Sequence, residues 1–253
     1  MQEVSTMNHD TLQKLRKMRL SAFAAAYRDQ SNDPETYEPL TFDERLTLLV
    51  DAEFDTRINN KIKRLLKSSH LPDTTAHISG IEYLPDRNLN KDLFATFRSN
   101  EYIRKGLNIM LIGATGSGKT YIACALATNA CRSEYRTRYY RLSEFFGEME
   151  AARLQGKYND VINQLRSIPL MIFDDFLLIS TNQEEQRDLF ILLRARDEAK
   201  TSTILCSQVS IAGWHERLGS GGVADTLLDR MTANGYAITI GGDVSMRKRH
   251  SRI

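Results

Sequence analysis

The chain has 253 residues, of which 42% are apolar and 26% charged, and its formal net charge at pH 7 is +2. That length holds one large domain or a moderate domain with a smaller one attached, and the composition excludes a disordered or fibrous chain. A charge so near balance does not by itself announce nucleic acid. No early apolar run reads as a signal peptide and none approaches the length of about eighteen residues that a membrane span needs, so the expectation is a cytoplasmic protein without membrane contact. Cys124, Cys131 and Cys206 lack metal-ligand spacing and are expected to be reduced and mostly buried.

In chain order, residues 10–30 place Leu12, Leu15, Met18, Ala22 and Ala25 on one helical stripe. Pro34 and Pro39 then force a turn, and Thr41 with Glu44 reads as a capping box opening a long helix with an apolar stripe of Val50, Phe54, Ile58, Ile62 and Leu65. Its end, "KIKRLLK", carries Lys61, Lys63, Arg64 and Lys67, a basic run that either touches phosphates or is a solvated face. Residues 69–80 are polar, contain Pro72 and Gly80, and read as a linker. The expected organisation is a small helical domain over residues 1–70 and a second domain over 71–253.

The second region alternates short apolar runs with helix-length segments: "NIMLI", "RTRYYRL", "LMIFDD", "STILCSQ" and "YAITI". Five such runs predict a parallel five-stranded α/β sheet with helices on both faces. Between the first run and its helix stands "GATGSGKT", residues 113–120, which fits the G-x-x-x-x-G-K-[ST] phosphate loop. In such a loop the backbone N–H groups of Gly113, Ala114, Thr115, Gly116, Ser117 and Gly118 curl around a phosphate. Lys119 then reaches the β- and γ-phosphates of ATP, Thr120 ligates Mg²⁺, and Tyr121 follows at the start of the helix. "LMIFDDF" ends a buried strand in Asp174 and Asp175, placed to assist the metal and to orient or deprotonate the attacking water, respectively. "STILCSQ" delivers Ser207 and Gln208 to the same sheet edge, where one of them is a candidate sensor of the γ-phosphate. A basic segment, "MRKRHSR", follows the last strand and includes Arg247, Lys248 and Arg249.

The order "GATGSGKT", "LMIFDDF", "STILCSQ", "LLDRM" and "GGDVSMRKR" resembles the IstB-like ATPases, helper proteins encoded beside the transposase of certain insertion sequences and similar to the DnaC helicase loaders of the AAA+ initiator group. The likeness runs from about residue 10 to the end. It implies a P-loop AAA+ core, Ser207 at the sensor-1 position, Arg230 as an arginine finger acting on a neighbouring subunit's nucleotide, and Arg247 as the arginine of the terminal motif. It also implies Ile81 or Tyr83 near the adenine. Two departures are visible: Asp-Asp stands where many AAA+ ATPases carry Asp-Glu, and about a dozen residues follow the last strand, too few for a C-terminal helical lid. The implied function is ATP-dependent assembly on duplex DNA in support of a partner transposase, with homo-oligomers formed on ATP and DNA and the basic residues Lys61, Lys63, Arg64, Lys67, Lys248 and Arg249 meeting the phosphates. The alternatives are a DnaC-like replicative helicase loader and a P-loop small-molecule kinase.

Overall fold

The computed structural model describes residues 9–242 and 244–249, so His250–Arg252 of the basic C-terminal run lie outside the described residues. They form two compact units meeting between Arg64 and Leu65. The first holds α1 (His9–Lys17), α2 (Ser21–Asn32), α3 (Pro34–Tyr37) and most of α4 (Phe42–Ser68). The single helix expected across residues 10–30 is broken, because Arg19 adopts a left-handed backbone (φ 59°) and the Leu20 N–H turns back to the Leu15 carbonyl. Folding back lets Leu12, Leu15 and Ala24 close a small core with Leu20, Phe23 and Tyr27, whereas Met18 stays 58% exposed.

The α2 helix has no side-chain cap of its own. Glu53, buried on α4, supplies one by accepting from the Ala22 and Phe23 N–H groups at 2.9 and 3.1 Å. This contact sets the face α4 turns inward. Leu49 and Glu53 are buried, while Val50 and Phe54, expected on the apolar face, lie one residue farther round the helix and are 50% and 59% exposed. The Thr41–Glu44 capping box forms as expected, with the Thr41 N–H donating to Glu44 at 2.8 Å and the Glu44 N–H donating to Thr41 Oγ1 at 3.4 Å.

The second unit contains α5 (Lys91–Phe97), α6 (Glu101–Arg104), β1 (Asn108–Gly113), α7 (Lys119–Arg132), β2 (Thr137–Arg141), α8 (Leu142–Leu154), α9 (Tyr158–Arg166) and β3 (Leu170–Asp174). It continues through α10 (Gln183–Glu198), β4 (Ser202–Ser207), α11 (Ile211–Arg217), α12 (Gly222–Ala233), β5 (Gly235–Ile240) and α13 (Met246–Arg249). The five expected strands all form. They pair in parallel in the order β2-β3-β4-β1-β5. Alternation along the strands divides the core: Ile109 and Leu111 of β1 pack under α7, and Met110 faces the opposite layer with Phe173, Leu205 and Trp214.

Residues 69–80 are not a tether. Ser69, Leu71, Ala76 and Ile78 are buried, and the Ser69 carbonyl accepts from the Tyr139 N–H at 2.8 Å. The polar residues that made the segment look like a linker shape its turn instead, Asp73 Oδ1 accepting from the Thr75 and Ala76 N–H groups. The three cysteines are buried and free. Among the described residues no helix is long and apolar enough to cross a membrane.

Candidate functional site

The strand β1 ends at Gly113 and α7 begins at Lys119, so residues 114–118 bend over the carboxyl edge of the sheet with a helix N-terminus beneath them. Gly116 and Gly118 have φ of 80° and 93°, and a Cβ on Gly118 would sit 2.9 Å from a guanidinium nitrogen of Arg87. Only glycine fits there. The Lys119 ammonium, 8% exposed as a residue, donates to the Gly113 and Ala114 carbonyls at 2.7 and 2.9 Å. Burial pushes it below its ordinary value, against the nearby thiol of Cys206 and the carboxylates of Asp174 and Asp175.

Two strands away, β3 brings Asp174 to the same edge. Its Oδ2 accepts from Thr120 Oγ1 at 2.7 Å and from the Tyr139 hydroxyl at 2.9 Å, and its Oδ1 accepts from the Asp175 N–H at 2.9 Å. Tyr139 is driven upward first by burial and then by the Asp174 charge and hydrogen bond, so its hydroxyl remains a donor. A hydroxyl and a carboxylate oxygen converging in this way suit Mg²⁺, which takes one or two protein oxygens and completes its shell with phosphate and water.

Asp175 is exposed, has a left-handed backbone (φ 53°), and lines a separate cavity of about 540 Å³ between α8 and α10. An exposed carboxylate on a left-handed backbone thus stands beside a buried, hydrogen-bonded one. Ser207 is turned away from the loop: it is fully buried, donates to the Phe176 carbonyl at 2.7 Å, and accepts from the Trp214 indole at 3.0 Å. Its neighbour Gln208 reaches the loop instead, accepting from Thr115 Oγ1 at 2.6 Å. The strand ends at Ser207, and Gln208, the first residue beyond it, makes the contact.

A cavity of about 490 Å³ opens beside the loop, and Glu82, Arg87, Tyr121, Met246 and Arg247 line it together with loop residues and Lys119. Ile81 is buried in the core and Tyr83 packs edge-on against Phe94, so neither lines this cavity. The Met246 N–H donates to the Gly116 carbonyl at 2.8 Å, seating α13 on the loop, and Arg249 pairs with Asp86. Lys248, Lys61, Lys63, Arg64 and Lys67 are exposed.

Arg230 is not part of this site. Its Nη1 lies 3.6 Å from Asp197 Oδ2 of α10, near the end of α12 that leads into β5. In the register, Gly235 sits beside Asn108, at the start of β1, whereas the loop follows Gly113, five residues or about 16 Å farther along. Arg87, Tyr139 and Gln208 are the residues that motif spacing did not single out for these contacts. Only for Gln208 did the sequence carry a signal, its arrival beside Ser207 at the end of a strand.

The chain matches the IstB-like ATP binding protein family over residues 13–253. It is 32% identical over 244 residues to a protein named as an insertion sequence ATP-binding protein, y4pL, of Sinorhizobium fredii (strain NBRC 101917 / NGR234), covering 96% of this chain and 98% of that one. It is 34% identical over 203 residues to a protein named for its insertion sequence, the IS1162 ATP-binding protein of Pseudomonas fluorescens, covering 80% and 87%. Among solved structures, AMPPCP-bound DnaA from Aquifex aeolicus superposes with a TM-score of 0.57 at 21% identity, covering 70% of this chain and 53% of that one. The DnaC helicase loader gives 0.55 at 14% identity, covering 65% and 96%. The chain thus spans about half the length of DnaA, and both likenesses are of fold, the AAA+ arrangement of a P-loop on a five-stranded parallel sheet. With nearly the whole sequence matched, the chain belongs to the family of IstB-like ATP binding proteins.

Proposed function

We propose that this protein binds ATP at the loop of residues 113–120 and hydrolyses it as an assembly on duplex DNA, in support of a transposase. The observation that carries the reading is the convergence of Lys119, Thr120 and Asp174 at one sheet edge, with Thr120 and Asp174 bonded at 2.7 Å. Lys119 exchanges its two loop carbonyls for the β- and γ-phosphate oxygens. Mg²⁺, when bound, neutralises phosphate charge. Thr120 and Asp174 hold it, Tyr139 fixes the carboxylate, Asp175 orients or deprotonates the attacking water, and Gln208 meets the γ-phosphate side of the loop. Arg247, on the cavity wall, meets the nucleotide from the side of α13.

Arg230 acts in trans, since it stands at the far edge of its own sheet. That requires a second copy at each active site. The exposed cations of α4 and Lys248 supply a nonspecific attraction to DNA phosphates, with Arg249 joining once it leaves Asp86. Relatives named for insertion sequences favour a transposition helper over a replicative loader, because the DnaC likeness is of fold alone. Phosphate release, measured with and without duplex DNA across a salt series, tests the reading. DNA should accelerate release, and the logarithm of DNA affinity should fall steeply and linearly with the logarithm of salt concentration. Release unaffected by DNA, or affinity flat in salt, removes the DNA-dependent part.

A further inference from the structure

The 3₁₀ turn Pro85–Arg87 carries an arginine that the motif does not include. Arg87 is 3% exposed, and its two terminal nitrogens donate to the Glu82 carbonyl at 2.6 Å and to the Ser117 carbonyl at 2.8 Å. Its own carbonyl accepts from the Gly241 N–H at 3.0 Å, so the residue is held at both ends before it reaches the loop. Its Nε is buried with no partner among the described residues, and burial pushes the guanidinium below its ordinary value. Burial works against this guanidinium, the charges of Glu82 and Asp86 offset part of the penalty, and its two terminal nitrogens are spent on backbone carbonyls, so its location calls for a use.

The use follows from the planarity of the peptide. In a trans peptide the C=O and the next N–H point in opposite directions. The described residues contain no cis peptide bond, and fastening the Ser117 carbonyl to Arg87 therefore turns the Gly118 N–H the other way. That N–H is one of the donors a P-loop offers to a phosphate. Gly118 also has a φ of 93°, which side chains rarely adopt, and Arg87 lies 2.9 Å from where a Cβ would stand.

We propose that Arg87 is a positioning residue for phosphate binding: it pins the Ser117–Gly118 peptide so that the Gly118 N–H faces the phosphates of the nucleotide. This rests on the nucleotide-binding reading above. Arg87 makes the loop ready before ATP arrives, so its removal weakens the grip on phosphates and leaves the nucleoside contacts and the chemical step intact.

The test compares Arg87→Met and Arg87→Lys with the parent, measuring equilibrium binding of ATP, ADP and adenosine by displacement of a fluorescent ATP analogue. Both variants should lose about tenfold to a hundredfold in affinity for ATP and ADP, the scale of a hydrogen bond to a charged group, with adenosine unchanged. KM should rise by a similar factor while kcat stays within about threefold. Lysine keeps the charge but puts one nitrogen where the planar guanidinium puts two, and it cannot occupy the Nη1 and Nη2 positions that meet Glu82 and Ser117, so it should not rescue. Thermal melting without nucleotide identifies a variant that fails to fold, in which case Arg87→Lys decides. ATP affinity within about twofold of the parent, or equal losses for ATP, ADP and adenosine, would overturn the inference. Lys119→Ala run in parallel separates the two layers of argument: if it keeps ATP affinity, the P-loop reading falls, and if it alone loses affinity, only the role of Arg87 falls.

Discussion

Asp174 and Asp175 are chemically identical neighbours with opposite surroundings. Asp174 is buried and takes three hydrogen bonds, while Asp175 projects into solvent from a strained backbone. Their difference supports the proposed reading, in which the first takes the metal-side role and the second the water-side role. Replacing Asp175 by Asn should leave ATP affinity within about twofold and lower turnover by about 10²- to 10⁴-fold, the range for losing a general base. Single-turnover phosphate release checks this, and turnover at the parental rate would place the base elsewhere. The pair was legible in the sequence because an apolar run ends in two acids. The partner of the pair was not: Tyr139 lies in a strand whose neighbour is set by sheet order, and no local pattern states that β2 lies beside β3. Ser207 and Gln208 make the same point in reverse, since both were visible at a strand end and only the direction of each side chain separates them.

At the scale of elements, the helical unit depends on a contact between helices rather than on the propensity of either. Glu53 caps α2 from α4 and accepts from Arg57 at 2.7 Å, and the Arg57 bond is the main force holding its carboxyl below the usual range, ahead of the opposing effect of burial. A carboxylate lowered in the folded state stabilises it above the ordinary glutamate pKa and loses that contribution as pH falls through the lowered value. Glu53→Gln in the full chain should therefore speed amide exchange at Ala22 and Phe23 at pH 7, with a stability loss of about 1–3 kcal/mol. Parent and variant should converge on acidification below the lowered Glu53 value. A gap that persists there would show that packing, and not charge, carries the cap. The sequence pointed to helices in this region, but not to the break at Arg19 or the outward face of Val50 and Phe54. Both go with contacts between helices, the cap that Glu53 supplies to α2 and the small core of Leu12, Leu15 and Ala24.

For the whole molecule, the parallel sheet separates two chemical groups that the proposed reaction needs together. The phosphate loop sits at one edge and Arg230 at the other, so a single chain does not bring its own Arg230 to its own nucleotide. If Arg230 serves a neighbour, Arg230→Ala should bind ATP almost normally and fail in DNA-stimulated hydrolysis. Mixing it with Lys119→Ala should restore measurable activity, because each supplies the half the other lacks, and losing an arginine finger costs about 10³-fold or more in rate. No recovery at any mixing ratio, with co-assembly shown by sedimentation, would leave Arg230 as the partner of Asp197 alone. The sequence by itself determined the strand set, the loop and the acids, since each is a local run whose residue types and spacing have few physical uses. The tertiary structure alone decided the strand order, the packed course of residues 69–80, the choice of Gln208 over Ser207 and the pinning of the loop by Arg87. These depend on which distant segments meet, and periodicity carries no record of that.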